Sequence, residues 1–192
     1  MANPKAEPDL IALDDYFEGE KFAEVKHEFV NGMVYAMAGG SVYHDTIAGN
    51  IAALLNTALP ETCRATVGNV QLGLQTSAVG TWFHYPDVFV FCGPTSGGDY
   101  RRDDALVVFE VLSPSTERMD RYEKFERSKT LSTLQEYVLI EQSMPRFEIY
   151  RRRAGWKQEF IHPDDPLVLE SVSQTLTFDS VYRRVNFDTN QG

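Results

Sequence analysis

Two acidic residues interrupt or open apolar stretches that read as β-strands. Glu110 lies within Leu106-Val107-Val108-Phe109-Glu110-Val111-Leu112, and Asp87 follows Pro86 at the head of Val88-Phe89-Val90-Phe91. An unpaired carboxylate costs several kcal/mol to bury. Glu110 must therefore pair with a cation, ligate a metal or face a cleft at the strand end, and an arginine would satisfy it if it stood alone. Asp87 adds a second carboxylate. If the two strands are neighbours, the carboxylates converge, and they repel unless a cation lies between them. Oxygen donors of this kind select Mg²⁺ or Mn²⁺ over Zn²⁺. The main-chain carbonyl of Val111 is a further donor.

A helix is expected from about residue 117 to 131, with Met119, Tyr122, Phe125 and Ser128 as its inward stripe. Asp120 and Lys124 are four apart and share a face. By themselves they read as one ion pair on a solvated helix. Lys124 adjoins Phe125, however, so its long stem can reach back to the strand end. An ammonium there orients a water or steadies the negative charge of a phosphorane. His44, at the start of an earlier helix, is a secondary candidate for a base or a phosphate contact. His84 reads as a surface residue, and His27 and His162 carry no pattern.

The elements that must position these residues are legible in part. Asn31-Gly32 between residues 27–30 and 33–37 marks a hairpin with a type I′ turn. A short acidic helix fits within residues 10–22. Residues 42–59 carry Ile47, Ile51, Leu54, Leu55 and Leu59 at helical spacing, with Ser41 as N-cap and Pro60 as terminator. Strands are expected over 65–75, 81–91, 105–112, 136–141 and 146–152, with shorter ones near 156–161, 166–169 and 176–178. A helical turn near 179–184 ends the sequence of elements. Ser113-Pro114-Ser115-Thr116 turns the chain and caps the helix after Glu110. The fold class is α/β, a mixed α+β domain with one main mixed sheet flanked by helices. It spans residues 10–185, with loose termini at 1–9 and 186–192.

Composition narrows the function classes. Of 192 residues, 18 are Lys or Arg and 28 are Asp or Glu, a net charge of −10. Such a balance argues against a protein that coats nucleic acid electrostatically. Most of the basic residues lie after residue 100, so Arg101, Arg102 and Arg121 are candidate contacts to a phosphate backbone. No apolar run approaches the roughly 18 residues a membrane span requires. With no secretory leader expected, the location is expected to be cytoplasmic, and Cys63 and Cys92 read as two buried free thiols. No phosphate-binding loop, dinucleotide fingerprint, zinc spacing or Gly-x-Ser-x-Gly turn appears.

Taken together, these residues resemble the PD-(D/E)XK nuclease superfamily, and more closely its bacterial branch of restriction-endonuclease-like proteins called the Uma family. The resemblance runs from about residue 17 to 184. It rests on His27-Glu28-Phe29-Val30-Asn31-Gly32, on His44, on Tyr85-Pro86-Asp87-Val88, on Val108 to Thr116, on Asp120 with Lys124, and on Glu136 to Ile140. It implies a restriction-endonuclease-like core with additional C-terminal strands, and Mg²⁺-dependent cleavage of nucleic acid, most naturally DNA. Asp87 and Glu110 would be the metal ligands, and Glu28 corresponds to the extra acid that such nucleases bring from the N-terminal region. The superfamily's lysine two residues after the glutamate is Leu112 here. The branch supplies it from the following helix, which points to Lys124. A homodimer is expected if duplexes are cut. The lost strand lysine and the acidic balance also keep open an inactive nuclease-fold module that binds nucleic acid or protein. A metal-free glycoside hydrolase using the two carboxylates ranks below both.

Overall fold

The computed structural model describes residues 10–37, 39–76, 80–114 and 117–187. Helix α1 (Leu13–Glu20) leads into the hairpin of β1 (His27–Val30) and β2 (Met33–Ala36). Asn31 and Gly32 have φ of 50° and 89°, the positive values the type I′ turn needs. Helix α2 (Val42–Ala58) follows, then β3 (Cys63–Val67), β4 (Gln71–Thr76), β5 (Gly80–His84), β6 (Val88–Cys92), β7 (Arg101–Arg102) and β8 (Val107–Leu112). A π-helical turn, Met119–Lys124, runs directly into α3 (Phe125–Ser128). The chain continues through β9 (Glu136–Glu141), β10 (Phe147–Arg151), β11 (Gln158–Ile161), β12 (Leu167–Leu169), β13 (Gln174–Leu176) and α4 (Phe178–Val181). The loose end expected at 1–9, all of that expected at 186–192 except residues 186 and 187, and the helix cap expected from Ser115 and Thr116 lie outside the described residues.

The expected mixed sheet flanked by helices is present, and a second sheet stands beside it. The larger sheet has six strands in the order β11-β10-β9-β8-β6-β3, a second has five in the order β2-β1-β5-β4-β7, and β12 pairs with β13. Residues 81–91, read as a single strand, are in fact β5 and β6, one in each sheet. The break falls at Tyr85-Pro86-Asp87, where proline has no N–H to donate and the ladder stops. Within the larger sheet β8 runs parallel to β9 and antiparallel to β6, so the sheet is mixed and flanked by helices.

Strand alternation divides the interior. From β6 and β8, Val88, Val90, Val107, Phe109 and Val111 pack against α2, through Ile47, Ile51 and Leu55. Burying each such side chain contributes about 1.5–3 kcal/mol. The opposite face holds Phe89, Phe91, Val108 and Leu112, packed on Trp82 and Leu72 of the smaller sheet and on Phe125 of α3. Asp87 and Glu110 share the parity of this second face. They are therefore held between the sheets, under the helix that follows β8.

The expectation of two free thiols is also corrected. Cys63 and Cys92 face each other in register across β3 and β6 and form a disulfide. They are 29 residues apart in sequence, and only the pairing of edge strand β3 brings them together. Among the described residues, no helix is long and apolar enough to cross a membrane.

Candidate active site

Val88 pairs with Phe109, which sets Asp87 beside Glu110. The two carboxylates are tied to each other's strands. The Val111 N–H donates to Asp87 Oδ2 at 2.6 Å, and the Asp87 N–H reaches Glu110 Oε2 at 3.5 Å. Glu110 is 1% exposed, and its Oε1 has no hydrogen-bond partner among the described residues.

Three further elements close on this pair. The π turn directs Asp120 and Lys124 inward, and the Lys124 ammonium lies 3.0 Å from Asp120, 3.4 Å from Glu28 of β1 and 3.7 Å from Glu110. The buried Tyr137 hydroxyl of β9 donates to the Asp120 carbonyl at 2.9 Å and fixes that turn from below. A π turn inserts an extra residue per turn and recurs at functional sites. The inward stripe expected at Met119 and Tyr122 is accordingly corrected. Both are exposed, whereas Asp120, Lys124, Phe125 and Ser128 are buried.

His44 comes from the first turn of α2, where the Ser41 side chain accepts from the His44 N–H at 3.1 Å. Its Nε2 lies 3.2 Å from Asp87 Oδ2. A Cβ on Gly40 would approach His44 Nδ1 to 2.7 Å, so glycine keeps room for the ring. His84, expected at the surface, is buried. It stacks on Trp82 with ring centroids 5.0 Å apart, and its Nε2 lies 3.7 Å from Glu110 Oε1. The signal was present in the sequence, because residues two apart on a strand share a face, and Trp82 could hardly be on the outside.

Electrostatics follows from four carboxylates facing one ammonium. Burial, with Asp120, Asp87 and Glu28 nearby, raises the Glu110 carboxyl well above its ordinary range, although Lys124 opposes this. Burial works against the Lys124 charge, but the acids around it, Glu110 foremost, hold its pKa well above the ordinary value. Burial, reinforced by Lys124 and Arg127, pushes His84 well below its ordinary value, so the ring is neutral. His44 moves the other way. Burial lowers it, but the contact with Asp87 outweighs that and raises it.

These groups line a cavity of about 280 Å³, with Glu28, His44, Asp87, Glu110, Asp120 and Lys124 all on its wall. Arg101, Arg102 and Arg121 are not on it. Arg102 is held by Asp104 at 2.6 and 2.9 Å. Arg121 is held by Glu148 at 2.5 and 2.9 Å and by Glu117 at 2.7 Å. Arg101 lies over the Phe17 ring. Among the described residues, no three acidic, histidine or cysteine side chains already converge as a metal-ligand set. The acids are arranged around Lys124 instead. Their excess over that one cation, and the unpartnered Glu110 oxygen, suit a divalent ion held by Asp87, Glu110 and the Val111 carbonyl.

The mixed sheet flanked by helices makes an α+β fold, with the paired carboxylates of adjacent strands beneath a lysine. It matches a crystal structure described as a putative nuclease belonging to DUF820 from Anabaena variabilis. The TM-score is 0.73 at 17% sequence identity, over 90% of this chain and 97% of that one. The family described as putative restriction endonuclease, Uma2, matches residues 13–180, and the chain belongs to it. One relative, uncharacterized protein slr1290 of Synechocystis sp., is 30% identical over 96% of this chain and 98% of its own length. A second from the same organism, uncharacterized protein sll1609, is 28% identical over 74% of this chain and 81% of its own.

Proposed function

We propose that this chain is a Mg²⁺- or Mn²⁺-dependent endonuclease that hydrolyses phosphodiester bonds, with DNA as its substrate. The observation that carries the proposal is the buried Glu110 carboxylate. It is paired with Asp87 and has one oxygen left without a partner among the described residues, on the wall of a cavity that also holds Lys124. Asp87 and Glu110, with the Val111 carbonyl, would hold the ion. Such an ion supplies a Lewis acid for the phosphate and acidifies the attacking water.

The remaining roles fall to the chain's own groups. Lys124 would position the attacking water and offset the negative charge that grows on the phosphorane. Glu28 and Asp120 hold the ammonium in place for this, at 3.4 and 3.0 Å. His44 fixes the orientation of Asp87. Arg101, Arg102 and Arg121 would contact the phosphate backbone outside the cavity, with Arg102 and Arg121 first exchanging a carboxylate partner for a phosphate. Cutting both strands of a duplex would take two copies, so a homodimer belongs to the duplex form of this reading.

The test is thermal unfolding and nuclease assay of wild type, Asp87→Ala and Asp87→Asn, in chelator and in millimolar Mg²⁺ or Mn²⁺. Metal at about a hundred times its Kd stabilises by about 2.7 kcal/mol, so the wild-type midpoint should rise by several degrees. Both variants should lose the rise and the cleavage. A folded Asp87→Asn that cuts at the wild-type rate refutes the assignment. No metal response and no cleavage in wild type would favour the inactive binding module.

A further inference from the structure

A second cavity, of about 490 Å³, lies beside the acidic one, and Tyr85 lines both. A shallower depression that includes His44 and Asp87 also includes Lys26 and Asn69, which line the second cavity too. One continuous path therefore leads from Lys124 past Asp87 and Lys26 to Arg101.

The far end of this path is built unlike the acidic end. Its wall combines the rings of Phe17, Phe22, Tyr85 and Tyr100 with the cations of Lys26 and Arg101. Phe22 is 84% and Tyr100 74% exposed, so neither ring is used in a core. The Arg101 guanidinium lies 3.7 Å from the Phe17 ring centroid. Among the described residues it has no carboxylate partner, unlike Arg102 and Arg121. The Lys26 ammonium donates to the Gly68 carbonyl at 2.5 Å and lies 5.3 Å from the Tyr85 ring centroid. Glu20, the acid on this wall, is already used by the His27 N–H at 2.8 Å and the Tyr85 hydroxyl at 3.0 Å.

Open aromatic faces beside cations that no carboxylate holds are what single-stranded nucleic acid requires, with bases stacking on the rings and phosphates meeting the cations. A cavity of this size suits a small planar group. A base inside an intact duplex cannot reach it without leaving the stack. We infer that the second cavity takes an unpaired nucleotide, its base against Phe22 and Tyr100 and its phosphate on Arg101. The adjoining phosphates of the same strand then cross the acidic cavity. The substrate class is a single-stranded or locally unpaired strand, for which one copy of the chain suffices. The position of the strand over Asp87 rests on the nuclease reading, but the binding itself does not.

The experiment is fluorescence anisotropy in EDTA, which reads binding without turnover. The probes are a fluorescein-labelled DNA strand of about 12 nucleotides, its RNA counterpart, and the matching blunt duplex. Wild type should bind a single strand more tightly than the duplex, and the tighter of the two strands identifies the sugar. Tyr100→Ala and Arg101→Ala, both at exposed positions, should keep the wild-type unfolding midpoint. Each should weaken strand binding by roughly 5- to 100-fold. Equal affinity for strand and duplex, or variants that bind as wild type does, overturns the inference. If strand binding fails while Asp87-dependent cleavage persists, only this inference falls. If cleavage is absent but the strand binds through Tyr100 and Arg101, only the nuclease reading falls.

Discussion

Replacing Lys124 with methionine keeps most of the side chain's length and removes its charge. The ammonium sits 3.0 Å from Asp120, 3.4 Å from Glu28 and 3.7 Å from Glu110, at a residue only 7% exposed. Removing one partner of a buried ion pair costs roughly 3–5 kcal/mol. At about 2–4 °C per kcal/mol for a chain of this size, the midpoint in EDTA should fall by roughly 6–20 °C. The loss depends on pH, with a definite sign. Burial already raises the Glu110 carboxyl, and Lys124 is the group that opposes this, so its loss raises Glu110 further. The stability Glu110 contributes is fully present below its unfolded value, about 4.3, and is lost as pH rises through the folded value. Lys124→Met should therefore be hurt more at about pH 8 than at about pH 5. Mg²⁺ should recover part of the loss, because it supplies the missing positive charge. Single-turnover cleavage should drop by roughly 10²–10³-fold, as when one fixed electrostatic donor is removed. The assays are circular-dichroism melts at both pH values, with and without Mg²⁺, and single-turnover cleavage. A midpoint within about 2 °C of wild type at the higher pH would show that the cluster does not need this charge. Wild-type cleavage by the folded variant would remove Lys124 from the chemistry.

Two other perturbations probe the frame around the site. Reducing Cys63–Cys92 frees a loop with a sequence separation of 29. Loop-closure entropy then predicts a loss of about 3–4 kcal/mol and a midpoint lower by roughly 6–15 °C. Two titratable thiols in protein never exposed to reductant would show that the pair is not joined. Glu148 is 2% exposed and accepts from Arg121 and from Gln158, the latter at 2.7 Å. Burial pushes its carboxyl up, but the hydrogen bonds from Arg121 and Gln158 outweigh that and hold it below the ordinary value. A depressed folded pKa contributes stability above the unfolded value and loses it as pH falls through the folded one. Glu148→Gln should be less stable near neutrality, and its stability should fall less steeply than that of wild type below about pH 4. Parallel acid limbs in urea titrations of the two proteins would contradict this.

What could be seen in the sequence was local. Asn31-Gly32 announced its turn, the apolar spacing of Ile47, Ile51 and Leu55 announced α2, and Glu110 stood out because a charge in an apolar strand is costly. The convergence of Asp87 and Glu110 followed from pairing two neighbouring strands. What stayed hidden depended on partners far away in sequence or on a departure from ideal periodicity. A helical wheel placed Met119 and Tyr122 inward, because it assumes a constant turn and the π turn breaks that constancy. The separation of β5 from β6 rested on Pro86, which read as the start of a strand rather than a crossing between sheets. The disulfide depended on the position of β3 at the sheet edge, and the cation-lined second cavity on loops and strands that only the fold assembles.

The placement of the ammonium on the helix has an evolutionary consequence. Glu110 and Leu112 are two apart on β8, and Leu112 is 2% exposed within the layer between the sheets. A lysine at 112 would put a second cation into that apolar layer, and losing Lys124 first would strand the acids. A lineage moving the lysine between strand and helix must therefore pass through a form with two lysines, one of them in an apolar layer, or with none, which leaves the acids without their cation. Single substitutions such as Leu112→Lys should not interconvert the two arrangements. The exchange needs the layer beneath β8 to be rebuilt as well, because Leu112 is packed there against Phe125 and Tyr137.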